Sequence, residues 1–129
     1  MIKEYDKNNN LIHWKCSDGS EYWKEYDENN NKIHTKFSNG DECWTEYDER
    51  NNMIHYKGTS GYESWRKYDE RNNIIHYKDS NGREYWCKYN EDNASILITE
   101  QEFKQIEKAK ARKEFLSRKY CSRFELIDI

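Results

Sequence analysis

Apolar and ring-bearing positions recur along this chain with a period of 21 residues. Tyr5, Tyr26, Tyr47, Tyr68 and Tyr89 mark the period, and the four units they open run to Glu25, Glu46, Lys67 and Lys88. Ten columns are identical in all four copies, in the fourth as Tyr68, Asp69, Asn72, Asn73, Ile75, His76, Lys78, Gly82, Glu84 and Trp86. A fixed period of this length is the signature of a repeat architecture, in which each unit buries its surface on its neighbours. Within a unit, Ile74 to Asp79 alternates apolar with polar residues, Ser80-Asn81-Gly82 is a turn, and Arg83 to Tyr89 is a second, ring-rich run. Alternation of period two predicts strands. A Gly at a fixed place fits the last residue of a three-residue hairpin loop, which sits at positive φ. The other connection, Asp27-Glu28-Asn29-Asn30-Asn31 in the second copy, is Asp and Asn rich. Such side chains bond their own backbone and tolerate the left-handed region. The prediction is an antiparallel meander of tandem hairpins over residues 1–98.

Loop length then decides which side chains share a face, because a slip of one residue exchanges them all. A three-residue loop sets Lys78 opposite Glu84, His76 opposite Trp86 and Tyr77 opposite Tyr85. Ile75, Tyr77, Tyr85 and Tyr89 then share one face, and His76, Lys78, Glu84 and Trp86 the other. This register predicts a cross-strand Lys–Glu ion pair and a strip made of Trp23, Trp44, Trp65 and Trp86. A two-residue loop would instead bring Trp86 to the Ile75 face.

After Asn93 the pattern breaks. Ser95 to Ile98 reads as a last strand, and Thr99 with Glu102 forms a capping box that opens a helix. Phe103, Ile106, Ala109, Leu116 and Tyr120 fall on one stripe of that helix, and Glu125 to Ile129 reads as a short terminal strand. Fold class is therefore mainly β with a C-terminal α-helix over residues 99–129, the helix closing the array as terminal caps do. Residues 1–98 carry 14 Lys+Arg against 19 Asp+Glu, whereas 99–129 carry 8 against 6. An alternative use of the tail is a basic face, built from Lys108, Lys110, Arg112, Lys113, Arg118 and Lys119, for RNA or an acidic partner.

Composition narrows the function classes. Charged residues make up 36% and hydrophobic ones only 34%, which drifts toward disorder, but 16% aromatic residues argue for a thin, ring-rich core. No apolar run is long enough to span a membrane, and Met1 to Tyr5 does not open a secretory leader, so a cytoplasmic protein is expected. Cys16, Cys43, Cys87 and Cys121 lack metal or redox spacing and are read as reduced thiols.

The phrase Tyr-Asp-Glu-x-Asn-Asn-x-Ile, followed by a turn Gly and another Tyr-Asp, resembles the YD repeat of RHS-type bacterial proteins over residues 5 to about 93. The Ile-His and Glu-x-Trp elements resemble hairpin repeats in uncharacterised proteins of low-GC bacteria and their phages. The resemblance implies hairpins coiled into a long sheet. RHS shells use many more units, so enclosure of a cargo does not carry over to four copies.

Chemistry is sparse. His13, His34, His55 and His76 stand one per unit, about 10 Å apart across two strand steps, too far for shared metal ligation. The Asp6 loop begins like a calcium loop but lacks the Gly and closing Glu, and Arg50 and Arg71 occupy ligand positions. A nucleophile with its base belongs at one place rather than four equivalent ones, so no enzyme activity, cofactor or metal is expected. The expected function is a protein-binding module displaying the tryptophan strip. By analogy with small proteins of AT-rich bacteria and phages, its partner is a host defence complex, as for anti-CRISPR inhibitors. Two alternatives stand beside it. One is a single-stranded nucleic-acid binder using the aromatic strip and basic tail; the other is self-assembly, including a homodimer, through exposed sheet edges.

Overall fold

The turns explain why these residues form strands of such even length. The computed structural model describes the backbone of residues 1–127 and the side chains of residues 1–119. In the five-residue connections, Asn9, Asn30, Asn51, Asn72 and Asn93 all take φ of 63–65°, and Gly19, Gly40, Gly61 and Gly82 lie near +90° in the tight ones. The Asp of each long connection ties its loop. Asp48 Oδ1 accepts from the Arg50 and Asn52 amides at 2.9 Å each, and Oδ2 accepts from Asn52 Nδ2 at 3.2 Å. Asn52 Nδ2 also donates to Asn72 Oδ1 at 2.9 Å, as Asn10 does to Asn30 and Asn31 to Asn51, so the first four loops are bonded in series along one rim. The repeated tyrosine closes the unit, for example through Tyr68 Oη, which donates to the Met53 carbonyl at 2.7 Å.

Ten strands and one helix result: β1 (Ile2–Tyr5), β2 (Leu11–Lys15), β3 (Glu21–Tyr26), β4 (Lys32–Phe37), β5 (Glu42–Tyr47), β6 (Met53–Gly58), β7 (Glu63–Tyr68), β8 (Ile74–Asp79), β9 (Glu84–Tyr89), β10 (Ser95–Ile98) and α1 (Glu100–Ile127). The strands follow one another in chain order as an antiparallel meander, as the repeat predicts. Residues cluster into two compact units, Met1–Glu84 and Tyr85–Ile129.

In the first unit the register is the one a three-residue loop requires. His13 faces Trp23, His34 faces Trp44 and His55 faces Trp65. Between repeats the ladder slips by one residue at each tyrosine: Lys67 faces His76 while Tyr68 faces Ile74, which leaves Ile75 as an extra, bulged residue. The same bulge falls on Ile12, Ile33 and Ile54. Sequence alternation does not reveal it, because a bulge adds a residue without altering composition. The repeated isoleucine thus marks a bend in the sheet.

The face opposite the tryptophans is the more buried one. It holds Thr35, Thr45, Ser64, Tyr77 and Asp79, together with ring contacts such as Trp14 to Tyr22 and Tyr22 to Phe37, both at 5.5 Å. Much of that buried face is therefore small and polar, a thinner core than the aromatic content suggests. On it, Tyr77 Oη donates to Asp79 Oδ2 at 2.9 Å and sits 3.0 Å from Tyr62 Oη.

In the second unit β9 pairs with β10 without the bulge: Tyr89 faces Ser95, Cys87 faces Leu97 and Trp86 faces Ile98. Omitting that residue reverses the alternation, so Ile96 and Ile98 share the Trp86 side. Thr99 caps α1 through its hydroxyl, which accepts from the Glu102 amide at 3.2 Å. The helix runs to Ile127, through residues expected to form a terminal strand over 125–129, because no Gly or Pro between Tyr120 and Ile127 stops it. Asp128 and Ile129 lie outside the described residues. Of the helical stripe, Phe103 is buried and Ile106 half-buried, while Leu116 is 53% exposed; Phe115, off the stripe, is 64% exposed.

Candidate functional site

The outward face of the first unit is built from the columns that never vary. Alternation along each strand places His, Lys, Glu and Trp there, and the hairpin register sets each His against the Trp of its own unit. His13 and Trp23 stack with centroids 5.4 Å apart and planes at 11°; His34 and Trp44 stack at 5.4 Å and 10°, His55 and Trp65 at 5.6 Å and 16°. The expected ion pair between Lys and the Glu opposite is not what forms. Lys57 faces Glu63, yet the Glu63 carboxylate turns diagonally to accept from His55 Nε2 at 2.7 Å. A half-buried imidazole gains more from a carboxylate than an exposed ammonium does, since the ammonium keeps its water.

Each of the first three histidines touches a second carboxylate, from the strand before it. His34 Nδ1 lies 3.2 Å from Glu25 and Nε2 2.9 Å from Glu42; His13 is held by Glu4 and Glu21, His55 by Glu46 and Glu63. A neutral imidazole has one N–H, whereas two carboxylates at its two nitrogens call for the doubly protonated ring. The Glu21, Glu42 and Glu63 hydrogen bonds accordingly raise the pKa of His13, His34 and His55 above the ordinary 6.5, against the opposing effect of burial. When protonated, each of these three rings is an imidazolium stacked on an indole, a favourable cation–π geometry.

In the fourth unit this arrangement changes sign. The column filled by Glu4, Glu25 and Glu46 holds Lys67, which faces His76. His76 keeps its own Glu84 at 3.0 Å. The groove between neighbouring units widens at the same place. Trp23, Glu25, His34 and Lys36 enclose about 290 Å³, whereas the groove bordered by Glu46, His55, Trp65, Lys67, His76 and Lys78 holds about 650 Å³.

Of the residues picked out as partner-binding from the sequence, Trp23, Trp44 and Trp65 are 38%, 41% and 40% exposed on one face of the first unit. Trp86 lies in the second unit and is half-buried, with Ile98 opposite it where the other three have Lys36, Lys57 and Lys78. Lys108, Lys110, Arg112, Lys113, Arg118 and Lys119 are all exposed on α1. At about 100° per residue, Lys108, Arg112 and Lys119 share a narrow stripe, while Lys110 and Lys113 point to the opposite side and Arg118 between them. Lys110 is 4.0 Å from the Glu107 carboxylate. Sequence reasoning placed the histidines on this face without giving them partners among the glutamates, and it missed Lys67. The change from Glu4, Glu25 and Glu46 to Lys67 and Lys88 along that column was the signal available.

Among the described residues no group of three His, Cys, Asp or Glu side chains is placed to hold a metal ion, and Cys16, Cys43 and Cys87 are free thiols. Among the described residues no helix is long and apolar enough to cross a membrane.

No known protein family and no curated protein matches the chain. Its structure is similar to a chain in the crystal structure of TcdB2-TccC3-TEV, an RHS/YD-repeat toxin complex, with a TM-score of 0.51 and 13% sequence identity. The likeness is to the YD-repeat hairpin fold. The match covers 74% of this chain and 7% of that one, so the chain corresponds to a small part of that protein.

Proposed function

We infer that the chain is a non-enzymatic protein-binding module whose docking surface is the face carrying Trp23, Trp44 and Trp65. One observation carries the reading: three indoles at repeating positions are each about two-fifths exposed, on the face that holds the invariant His, Lys and Glu columns. An indole buries at most ~250 Å², so roughly 100 Å² of each ring stays in water. Covering it is worth about 2.5 kcal/mol per ring at ~25 cal/mol per Å². Rings held rigid by a stacked histidine lose little side-chain entropy when a partner docks, the property that makes tryptophan frequent at interface hot spots. A component of a host defence complex is the finer form of the same reading.

Affinity capture from a bacterial lysate with the wild-type chain and with a Lys36→Ser/Lys57→Ser/Trp44→Ser variant tests it, circular dichroism confirming that the variant is folded. The expected result is one stoichiometric protein held by the wild type and released by the variant. Absence of any stoichiometric protein, or equal capture by both, overturns the reading.

A further inference from the structure

We propose that the groove beside Trp65 is a subsite for an acidic segment of the partner, a carboxylate seated between Lys67 and Lys78 with a neighbouring apolar side chain on the indole. This deepens the binding-module reading and rests on it. Lys67 lies two residues beyond Trp65 on the same strand and so on the same face, and Lys78 faces Trp65 across the ladder. Direct cross-strand neighbours stand about 5 Å apart at Cβ, so both ammonium groups reach the space above one ring. Neither lysine forms an ion pair among the described residues. Two cations beside an exposed indole therefore border a groove of about 650 Å³, in a chain whose net charge is -3.

The earlier units lack this property. At Trp23 the same position is Glu25, and the groove there is less than half the size. The contrast also selects the class of ligand. A nucleic-acid strand running along the face would carry its phosphates past Glu25 and Glu46, which repel them. An acidic side chain of a peptide needs only the one lysine pair, and Glu46 on the far side of the groove accepts peptide amides.

The repeat supplies its own control, because Lys67→Glu installs the residue that stands at this column in the preceding units. Glu46→Lys makes the reverse change beside Trp44. The experiment follows the five indole N–H signals of the full chain by NMR during titration with acetyl-Leu-Glu-Glu-amide. Parallel arms use acetyl-Leu-Lys-Lys-amide and a single-stranded DNA hexamer. The acidic peptide is expected to shift the Trp65 signal saturably and the Trp23 and Trp44 signals little. Lys67→Glu weakens that binding at least tenfold with the other indole signals unmoved, and Glu46→Lys makes Trp44 respond. The lysine peptide produces no saturable shift.

An unshifted Trp65, or equal binding by Lys67→Glu, overturns the proposal. A response to the hexamer without one to the acidic peptide assigns the groove to nucleic acid and overturns it as well. Equal shifts at Trp23, Trp44 and Trp65 overturn the subsite while leaving the strip as a docking surface. Loss of lysate capture in the Trp44 variant, with a normal peptide response at Trp65, supports the strip and the subsite together; equal capture by both chains with that same peptide response removes the wider reading alone.

Discussion

Replacing Asp48 by Ala removes the acceptor that organises the connection between the second and third units. Its carboxylate receives two backbone amides at 2.9 Å and one side-chain amide at 3.2 Å. A bond to a charged group contributes about 1.5–3 kcal/mol when well buried, and Asp48 is only half-buried, so the lower end applies. Allowing for water that replaces part of the interaction, a loss of about 2–3 kcal/mol is expected, or roughly 8–12 °C in Tm for a chain of this length. Asp48→Asn keeps an oxygen for both amides and should lose about half as much. Burial pushes the Asp48 carboxyl up, but the amides of Asn52 and Arg50 outweigh it, and its pKa lies below the ordinary 3.8. A depressed carboxylate pKa adds stability that is complete above pH 3.8 and disappears as pH falls through the folded value. The deficit of Asp48→Ala should therefore be full at pH 7 and shrink as pH falls below 3.8 through the folded value. Urea melts followed by circular dichroism at pH 7 and pH 2.5 measure both quantities. A deficit under ~0.5 kcal/mol at pH 7, or one that is the same at both pH values, refutes the reasoning.

The histidine ladder gives the opposite pH sign. Because His13, His34 and His55 have raised pKa values, their contribution is complete below pH 6.5 and is lost as pH rises through the folded values; NMR titration should place all three midpoints above 6.5, and Glu42→Gln should bring the His34 midpoint down. Gly40 has φ of +95° and open space where a Cβ methyl would sit, so Gly40→Ala should cost about 1–2 kcal/mol in a thermal melt from backbone conformation alone, and Gly40→Ser should cost the same. Leu97 is 74% exposed on an edge strand without charges, so Leu97→Lys should change stability by less than ~0.5 kcal/mol and lower any self-association seen by light scattering.

Most of the fold was legible because each structural job in the unit falls to a residue with few substitutes. Gly19 and its equivalents, the Asn at φ near 64° and the Asp that caps the loop are dictated by backbone conformation, and they announce turns of fixed length. Fixed turns set the register, and the register put tryptophan beside histidine. The bulge at Ile75 was hidden because it depends on a ladder slip between units, which no spacing within one unit records. The failure of Lys57 and Glu63 to pair was hidden for a related reason. Register names the residue directly opposite, while the carboxylate chose a diagonal neighbour whose half-buried ring gained more from it. The helix end was misjudged because alternation in Glu125 to Ile129 outweighed the lack of any residue that stops a helix.

Identity across copies needs separate causes on the two faces. Core positions usually vary least, yet here the column of Trp14, Thr35, Tyr56 and Tyr77 on the more buried face differs from unit to unit while the His, Lys, Glu and Trp columns of the exposed face are constant. The hydrogen bonds resolve the inversion. Each of the first three histidines is gripped by a glutamate of its own hairpin and another from the strand before, so its partners belong to two repeats at once. Changing one member leaves an unmatched charge at a junction, and the column is constrained even though water reaches it. Apolar packing on the opposite face is less exacting, because neighbouring side chains can exchange volume along the row. Constancy of the outer face therefore measures the ladder's own requirements and is weak support for a partner. Lys67 breaks that constraint: it puts an ammonium where Glu4, Glu25 and Glu46 place a carboxylate, and it borders the wider groove, which is why the departure from the earlier copies, more than the repeat itself, points to a binding position.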